Sequence, residues 1–351
     1  MEAKHEEVKE YYGKELTHSD DLKTNACCTI EDPPKHIKEI LAQLHDDVIT
    51  KYYGCGLTIP YKLDGLKILD LGSGSGRDCY IASKLVGSNG YVTGIDMTDE
   101  QLAVANEHID YHMQKFGFDK PNINFLKGNI DELEQLNLEE GSFDLIISNC
   151  VINLAVDKQK VLKDAFKLLK PGGEMYFSDV YADRRVPLSL QKNPVLWGEC
   201  LSGALYWNDF LNFSKTAGFT DPRVVETHPI SVENGDLQEL IGDIKFYSVT
   251  YRLFKLDGLE SDCEDYGQSV RYKGTIKGNE HSYDLDDHHH FPRGKMITVC
   301  GNTYKMLMDT RLAEAFEFFG TWDTHYGIFE GCGGSAPFSE NNGASDAIDC
   351  C

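Results

Sequence analysis

The sequence predicts an α/β fold in which helices cover both faces of a mostly parallel, doubly wound β-sheet. Apolar runs of strand length alternate with longer segments of helical periodicity from about residue 66 to residue 180. Strands that alternate with helices in this way pair in parallel and are buried on both faces. The first run is followed directly by three glycines and then by a helical pattern, which is the strand, turn and helix arrangement of a Rossmann-like nucleoside site.

The elements follow in order along this alternation. Strands are predicted over 67–72, 91–96, 123–127, 143–148 and 173–180, and helices over 76–86, 99–116 and 157–169. Helical patterns precede them, and another covers 181–220. Residues 222–230 and 245–256 have strand patterns that either pair antiparallel at the sheet edge or begin a separate unit. We therefore expect an N-terminal helical cap over 1–60, a ligand-binding domain over 61–256, and a small α+β region over 257–351 that ends in a flexible tail.

Composition narrows the classes of partner. The 351 residues carry a net charge of −23 and a sequence pI near 4.8, so nucleic acid and anionic membranes should be repelled. The start is charged rather than apolar, and no apolar run approaches the length of a membrane span. Eleven cysteines without a CxxC pair indicate mostly free thiols in a reducing compartment. We expect a cytoplasmic protein, with a monomer favoured.

The glycine turn distinguishes between two ligands. Gly72, Gly74 and Gly76 are spaced G-x-G-x-G, whereas a dinucleotide site uses G-x-G-x-x-G to present a helix N-terminus to a pyrophosphate. Asp70 and Asp78 flank the turn, and two carboxylates would repel a pyrophosphate but attract an ammonium and a sulfonium. The pattern therefore favours S-adenosylmethionine over NAD, and a glycine turn without a ligand is the remaining alternative.

Other polar residues lie at the ends of predicted strands, on the edge of the sheet where ligands bind. Asp96 ends the second strand, twenty residues beyond the last glycine, where it could accept hydrogen bonds from ribose hydroxyls. Asn129 and Ile130 follow the third strand, and Asn149 follows the fourth. Each of these readings comes from position alone.

The cysteines differ in their settings. Cys150 follows the fourth strand, and Cys55 lies between glycines, which predicts an exposed turn. Cys200 lies in the helical segment that would cover the site, whereas Cys79 is interpreted as a core residue. Cysteine is usually a small buried hydrophobe, so a single cysteine is assigned to the core unless its setting argues otherwise. The glycine-flanked turn of Cys55 and the strand edge of Cys150 are not core settings.

Five motifs together resemble arsenite methyltransferases, over most of residues 11–256: YGCG (53–56), DLGSGSGRDCY (70–80), GIDM (94–97), SNCVINL (148–154) and LWGECLSGALYW (196–207). The resemblance implies that Cys150 and Cys200 hold trivalent arsenic, with Cys55 as the third thiol. It also implies that Cys27 joins Cys55 in redox exchange. This chain has both Cys27 and Cys28 there, and the preceding Asn25-Ala26 favours Cys27.

The chemistry of arsenic agrees with a thiol site. Trivalent arsenic is soft and prefers thiolates, and three sulfurs leave it a lone pair that can attack the sulfonium methyl in line, without a general base. The product would be oxidised, and Cys27 and Cys55 would reduce it by giving up two electrons and forming a disulfide, which glutathione or thioredoxin would reset.

The resemblance also sharpens the cofactor assignment. It implies that Tyr53 lies over the methionine end, Met97 against the adenine, and Asn129 and Ile130 at the adenine edge. The full predicted cofactor set is Tyr53, Asp70, Gly72, Ser73, Gly74, Gly76, Asp78, Asp96, Met97, Asn129, Ile130 and Asn149.

Two other functions stay open on the sequence. One is a methyltransferase for a small organic thiol or amine in which the cysteines are structural, and the other is a thiol-based metalloid binder or redox sensor. The arsenic function predicts loss of methyl transfer when Cys150 or Cys200 becomes serine, whereas the first alternative predicts turnover without these cysteines. Measuring methyl transfer from labelled S-adenosylmethionine to arsenite separates all three functions. Residues 288–290, three consecutive histidines, are expected to form a solvated loop rather than a metal site, and His5, His18, His36 and His45 have no evident partner.

Overall fold

A computed structural model describes residues 33–232 and 234–331. Eight strands form one sheet: β1 (Lys67–Leu71), β2 (Tyr91–Asp96), β3 (Ile123–Lys127), β4 (Phe143–Asn149), β5 (Leu169–Ala182), β6 (Leu205–Tyr206), β7 (Arg223–Ile230) and β8 (Phe246–Phe254). Their order is β3-β2-β1-β4-β5-β8-β7, with β6 beside β5. The strands β1 to β6 pair in parallel, so the predicted mostly parallel sheet is confirmed. The sequence left open whether the last two strands pair at the sheet edge or begin a separate unit. They pair at the sheet edge, where β8 and β7 are antiparallel.

Helices connect the strands and precede them. They are α1 (Lys35–Leu41), α2 (Asp46–Thr50), α3 (Arg77–Val86), α4 (Asp99–Glu107), α5 (Ile109–Phe116), α6 (Lys158–Leu168), α7 (Pro194–Gly198), α8 (Trp207–Ala217) and α9 (Gly235–Ile241), with 3₁₀ turns at Ile130–Leu136, Ile152–Leu154 and Leu190–Lys192. The single helix predicted over 99–116 is wrong. It breaks at His108, which leaves helical geometry where its ring pairs with Asp47 at 3.1 Å. The segment 181–220 is also less helical than predicted, because only α7 and α8 are α-helical there.

The middle strands are buried on both faces, which explains their continuous apolar runs. In β1, Leu69 and Leu71 pack in one hydrophobic cluster, and Ile68 packs in the cluster on the opposite face. In β4, Ile146 and Ile147 divide in the same way. Register in such strands is strongly specified, because a slip of one residue would exchange the faces. The carboxyl ends of β1 to β4 are thereby held at one edge.

The chain divides into two compact units after Lys255. The second unit contains β9 (Glu264–Asp265), β10 (Ser269–Tyr272), β11 (Ser282–Asp284), β12 (His290–Pro292), β13 (Met296–Thr298), α10 (Gly301–Met308), a 3₁₀ turn (Ala313–Ala315), β14 (Phe316–Phe319) and β15 (Gly327–Ile328). Strands β13, β10 and β14 form an antiparallel sheet. The roles predicted for 1–60, 61–256 and 257–351 stay predictions, and the predicted tail from 332 onward lies outside the described residues.

Two sequence expectations about histidines are corrected by the structure. His289 is not simply solvated, because its Nδ1 lies 2.7 Å from the buried carboxylate of Asp286. His36 and His45 have partners after all. The His36 ring lies 5.6 Å from the Tyr61 ring, centroid to centroid. The His45 ring stacks on His108 with centroids 3.8 Å apart, and its Nδ1 lies 3.4 Å from Asp47. These contacts join segments distant in sequence or arise from local turns that the pattern did not reveal. Across the described residues, no helix has both the length and the apolar character needed to cross a membrane.

Candidate active site

A cavity opens at the carboxyl ends of β1 to β4, where the sequence predicted the ligand edge. Eleven of the twelve predicted cofactor residues line it: Tyr53, Asp70, Gly72, Ser73, Gly74, Asp78, Asp96, Met97, Asn129, Ile130 and Asn149. Gly76 does not line it. This glycine caps the start of α3 with a φ of +89°, and an added Cβ would lie 2.7 Å from the Phe125 ring. Gly76 therefore serves close packing of the helix on the sheet.

The glycine turn after β1 lies close to the start of the loop that follows β4. Gly72 has a φ of +79°, and a Cβ built on it would lie 2.4 Å from two methyl carbons of Val151. Gly74 has a φ of +51°, with no heavy atom nearer than 4.0 Å to such a Cβ. The positive φ favours glycine at both positions, but only at Gly72 would a side chain clash with a neighbouring residue.

We expect Gly72→Ala to destabilise the protein more than Gly74→Ala. Both variants incur about 1–2 kcal/mol for a left-handed backbone. Gly72→Ala adds the overpacking against Val151, which costs roughly 1–3 kcal/mol more. The midpoints of urea unfolding measure the difference. Equal midpoints for the two variants would show that the loop at Val151 relaxes without cost.

Three carboxylates, Asp70, Asp78 and Asp96, lie in the cavity wall, and Asp78 is paired with the buried guanidinium of Arg77 at 2.9 Å. Burial raises the pKa of the Asp70 carboxyl to about 8, and repulsion from Asp78 and Asp96 adds to this, while a hydrogen bond from the Cys79 thiol at 3.1 Å opposes it. Burial also raises the pKa of Asp96, against the effect of backbone N–H donors. A cationic ligand would relieve the repulsion among these groups.

The cavity wall has the groups that a nucleoside with a cationic tail needs. Asp96 accepts from the backbone N–H groups of Gly74 and Thr98, each at 2.8 Å, and this fixes its carboxylate in the cavity wall, where a ribose hydroxyl could donate to it. The buried hydroxyl of Ser73 lies in the cavity wall and has no hydrogen-bond partner among the described residues. The residues present therefore fit S-adenosylmethionine.

Cys55 lies beside this cavity and is fully buried, so the predicted exposed turn is wrong. Its N–H donates to Asn149 Oδ1 at 2.9 Å, and its carbonyl accepts from the Ser248 hydroxyl at 2.6 Å. Its sulfur forms a disulfide with Cys150, 95 residues further along the chain, with Cα atoms 5.8 Å apart. Glycines on either side suggested exposure, but contacts with β4 and β8 bury the loop.

The redox exchange of Cys55 with Cys27 stays a prediction, and in this structure Cys55 is bonded to Cys150. Cys27 and Cys28 lie outside the described residues. Cys150 is within reach because it follows β4 directly, and Asn149 holds the Cys55 backbone against the end of that strand. Cys55 and Cys150 are two of the four cysteines that the sequence placed at the site.

Cys200 joins this pair from the turn that follows α7. Its thiol is buried and donates to the Cys150 carbonyl at 3.3 Å, and the two sulfurs lie within 4.8 Å of each other and of a carboxylate oxygen of Asp179. Cys150 and Cys200 have φ values of +57° and +60°, which are uncommon for side chains larger than glycine. Such backbone strain is typical of functional sites.

Two ionisable residues beside the thiols were missed by sequence reasoning. Burial raises the pKa of Asp179 to about 7, opposed by backbone N–H donors and by the charge of Lys158. Burial lowers the pKa of Lys158 to about 8, opposed first by the charge of Asp179. Asp179 could have been found, since it lies near the end of a predicted strand. Lys158 begins a helix and gave no such signal.

The cavity also contains residues that the sequence analysis did not select. They are Lys51, Tyr52, Ser75, Thr98, Gln101, Gly128, Asp131, Val151, Leu154 and Ala155. Most of them adjoin residues that were selected, on the same loops after the strands. Hydrophobic periodicity predicts where each strand ends, but it does not predict which residues of the following loop face the cavity.

Comparisons with known proteins agree with this geometry. The sequence matches the family model "Methyltransferase domain" over residues 62–218 and "Arsenite methyltransferase C-terminal domain" over residues 266–335. It is 56% identical to an arsenite methyltransferase of Aquipseudomonas alcaligenes over 99% of this chain and all of that one. It is 48% identical to the mouse arsenite methyltransferase over 90% of this chain and 83% of that protein. A crystal structure of an arsenic(III) S-adenosylmethionine methyltransferase from Chlamydomonas reinhardtii aligns with a TM-score of 0.82 at 51% identity, covering 85% of this chain and all of that one.

Proposed function

The chain belongs to the arsenite methyltransferase family and is an S-adenosylmethionine-dependent enzyme, and we propose that it methylates trivalent arsenic held by Cys55, Cys150 and Cys200. The observation that carries the proposal is the convergence of three buried cysteines beside the acidic cavity, one of which, Cys150, lines it. These cysteines come from three separate segments of the chain. If they were only small apolar core residues, nothing would require them to converge at one place.

The geometry suits an in-line transfer. Arsenic bound by three thiolates is pyramidal and keeps a lone pair, and S-adenosylmethionine supplies an electrophilic methyl on its sulfonium when bound. The three cysteines would hold the arsenic at the cavity end formed by Cys150 and Val151. Holding nucleophile and methyl in line contributes up to roughly 7–11 kcal/mol to lowering the barrier.

The cofactor residues divide between the two ends of the ligand. Asp96 would accept from the ribose hydroxyls, with Met97, Asn129 and Ile130 around the adenine. Asp70, near the glycine turn, would compensate the positive charge of the methionine end. Each of these residues lies in the cavity wall.

Turnover also needs a reductant. Methyl transfer uses the arsenic lone pair and leaves arsenic oxidised, so two electrons must return from two thiols that become a disulfide. Cys55 would be one of them, with Cys27 as the partner that the sequence implies and Cys150 as the partner bonded to it in this structure. Glutathione or thioredoxin would reset the disulfide, which suits an enzyme of a reducing compartment such as the cytoplasm. We also propose that a single chain suffices.

Arsenic protection tests the proposed ligand set. The full chain, reduced by a phosphine and freed of reductant, is loaded with arsenite, alkylated, and analysed by peptide mass spectrometry. We expect arsenite to protect Cys55, Cys150 and Cys200, while Cys263 in the second unit, which is partly exposed, reacts as it does without arsenite. Full alkylation of Cys200 in the loaded protein would refute the proposal.

Cofactor binding should strengthen as the pH rises towards 8. Without ligand the pKa of Asp70 is about 8, so the carboxyl is mostly protonated at neutral pH. A cationic ligand favours the ionised form, and binding below pH 8 therefore releases a proton. The dissociation constant for S-adenosylmethionine should fall by up to about tenfold per pH unit between pH 6 and 7 and level off above pH 8.

Calorimetry in buffers of different ionisation enthalpy counts the released proton. Asp70→Asn serves as the control, because it removes the titrating group and should give a weaker affinity with little dependence on pH. A wild-type affinity that is flat from pH 6 to 8 would contradict the prediction.

A further inference from the structure

Beyond its use of arsenic, and resting on the proposed thiol set, we propose that the reduced enzyme has a site for a divalent thiophilic metal ion of the zinc group, with Cys150, Cys200 and Asp179 as ligands. The two sulfurs and a carboxylate oxygen of Asp179 lie within 4.8 Å of one another, and all three residues are buried. Zinc bond lengths of about 2.3 Å to sulfur and 2.0 Å to oxygen place tetrahedral ligand atoms roughly 3.5–3.8 Å apart. A contraction of about 1 Å would close the site.

Asp179 is held in place for this role. Its Oδ2 accepts from the Asn153 N–H at 3.0 Å, and its Oδ1 accepts from the Val180 N–H at 2.8 Å. The Ile152 N–H donates to the carboxylate as well, so three backbone donors leave one of its roughly four lone-pair sites for a metal. Backbone donors to a ligating carboxylate are the usual support of a metal site.

The carboxylate also separates two kinds of ligand. Trivalent arsenic is soft and binds sulfur, so it has no use for the Asp179 oxygen. Zinc-group ions accept two thiolates with a carboxylate. Asp179 should therefore matter for the divalent metal and not for arsenic.

The charges at the site balance when such an ion is bound. Two thiolates and the Asp179 carboxylate carry three negative charges, and the ion with the Lys158 ammonium carries three positive ones. Lys158 lies near Asp179 and Cys200, and its ammonium donates to the Ala155 carbonyl at 2.8 Å and packs on the Trp197 ring. A buried site is least costly when its charges cancel.

Binding requires the Cys55–Cys150 disulfide to be reduced first by a two-electron reductant such as a phosphine or a dithiol. The ion then displaces two protons, one from each thiol, into the buffer, and nothing is oxidised. Three protein ligands leave a fourth position on the metal, and the reduced Cys55 thiol beside Cys150 is within reach of it. An ion bound there would block loading of arsenite.

A second group of possible ligands serves as the comparison. His45, Asp47 and His108 also bring ligand atoms within 4.8 Å of one another. The two imidazole rings stack at 3.8 Å with an angle of 16°, so their in-plane lone pairs cannot point to one ion without rotation of a ring. We therefore assign the site to the cysteines.

The test uses the full chain, reduced by a phosphine and desalted without oxygen. Zn²⁺ affinity is measured by competition with a chromophoric chelator, Cd²⁺ by thiolate-to-metal absorption, and arsenite by the protection assay. We expect one Zn²⁺ per chain in the wild type, a loss of about tenfold or more in Asp179→Asn, and loss of the Cd²⁺ band in Cys200→Ser. Asp183→Asn is the matched control on a half-buried carboxylate just past the same strand and should match the wild type.

Arsenite separates failure of this inference from failure of the proposed function. Asp179→Asn should keep arsenite protection of Cys200, which also shows that it folds. Unchanged Zn²⁺ affinity in Asp179→Asn, or Zn²⁺ binding lost in His108→Ala but kept in Cys200→Ser, would overturn the inference. If Asp179→Asn does not fold, the wild type decides: Zn²⁺ must slow arsenite loading competitively, and its failure to do so overturns the site. Arsenite loading that leaves Cys200 unprotected without any zinc would instead refute the thiol set itself.

Discussion

Cys200→Ser is expected to reduce methyl transfer to arsenite by at least roughly 10²-fold, because two remaining sulfurs no longer fix the arsenic lone pair in line with the methyl group. The buried Cys200 thiol lies against the Cys150 carbonyl at 3.3 Å, so a serine fits the space without supplying a soft ligand. Transfer of labelled methyl from S-adenosylmethionine, with a dithiol reductant in excess, measures the loss.

Two controls keep this result specific to the thiol. Cys263→Ser changes a partly exposed cysteine of the second unit and should leave the rate unchanged. Cys200→Ser itself should bind S-adenosylmethionine with nearly the wild-type affinity, since Cys200 is not in the cavity wall. A variant that binds the cofactor and still methylates arsenite at the normal rate would mean that the cysteines are structural, as in a methyltransferase for organic thiols or amines.

The sheet could be predicted from sequence because its middle strands are buried on both faces. Runs such as Ile68-Leu69 contribute one residue to each hydrophobic cluster, so the apolar run itself marks the strand. The break at His108 could not be predicted, since its ring pairs with Asp47, which is 61 residues away. The antiparallel edge was left open for the same reason, because pairing direction depends on where the chain returns and not on local pattern.

The cofactor side of the site was easier to predict than the thiol side. Asp96 and Asn149 end parallel strands, and such strands end at a common edge whatever the rest of the chain does. The setting of Cys55 depends on long-range contacts with Asn149 and Ser248, and glycine neighbours gave the opposite indication. The cysteines of the site were predicted from the resemblance of their motifs to a known family, because hydrophobic periodicity does not identify them.

Asn149 connects the two sides of the site through its amide. Its Oδ1 accepts from the Cys55 N–H at 2.9 Å. Its Nδ2 is directed to Tyr52 Oη at 2.6 Å, to the Gly56 carbonyl at 2.9 Å and to the Asp78 carboxylate at 3.0 Å. One side chain thus ties the loop that carries Cys55 to an acid of the cofactor cavity.

Asn149→Ala is therefore expected to weaken both functions of the site together, lowering kcat/KM for arsenite methylation about 100-fold. The variant leaves the buried Cys55 N–H without its acceptor and removes a donor from the charged Asp78, at roughly 1–3 kcal/mol each, and about 1.4 kcal/mol corresponds to a factor of ten. The rate at which Cys55 and Cys150 reform their disulfide should fall as well, because the loop is no longer held against β4. Asn124→Ala is the matched control, since it removes one side-chain hydrogen bond, which Asn124 Oδ1 accepts from the Thr93 hydroxyl, away from the cavity wall. If Asn149→Ala weakens cofactor binding but leaves disulfide formation at the wild-type rate, Asn149 contacts the ligand without positioning the thiol.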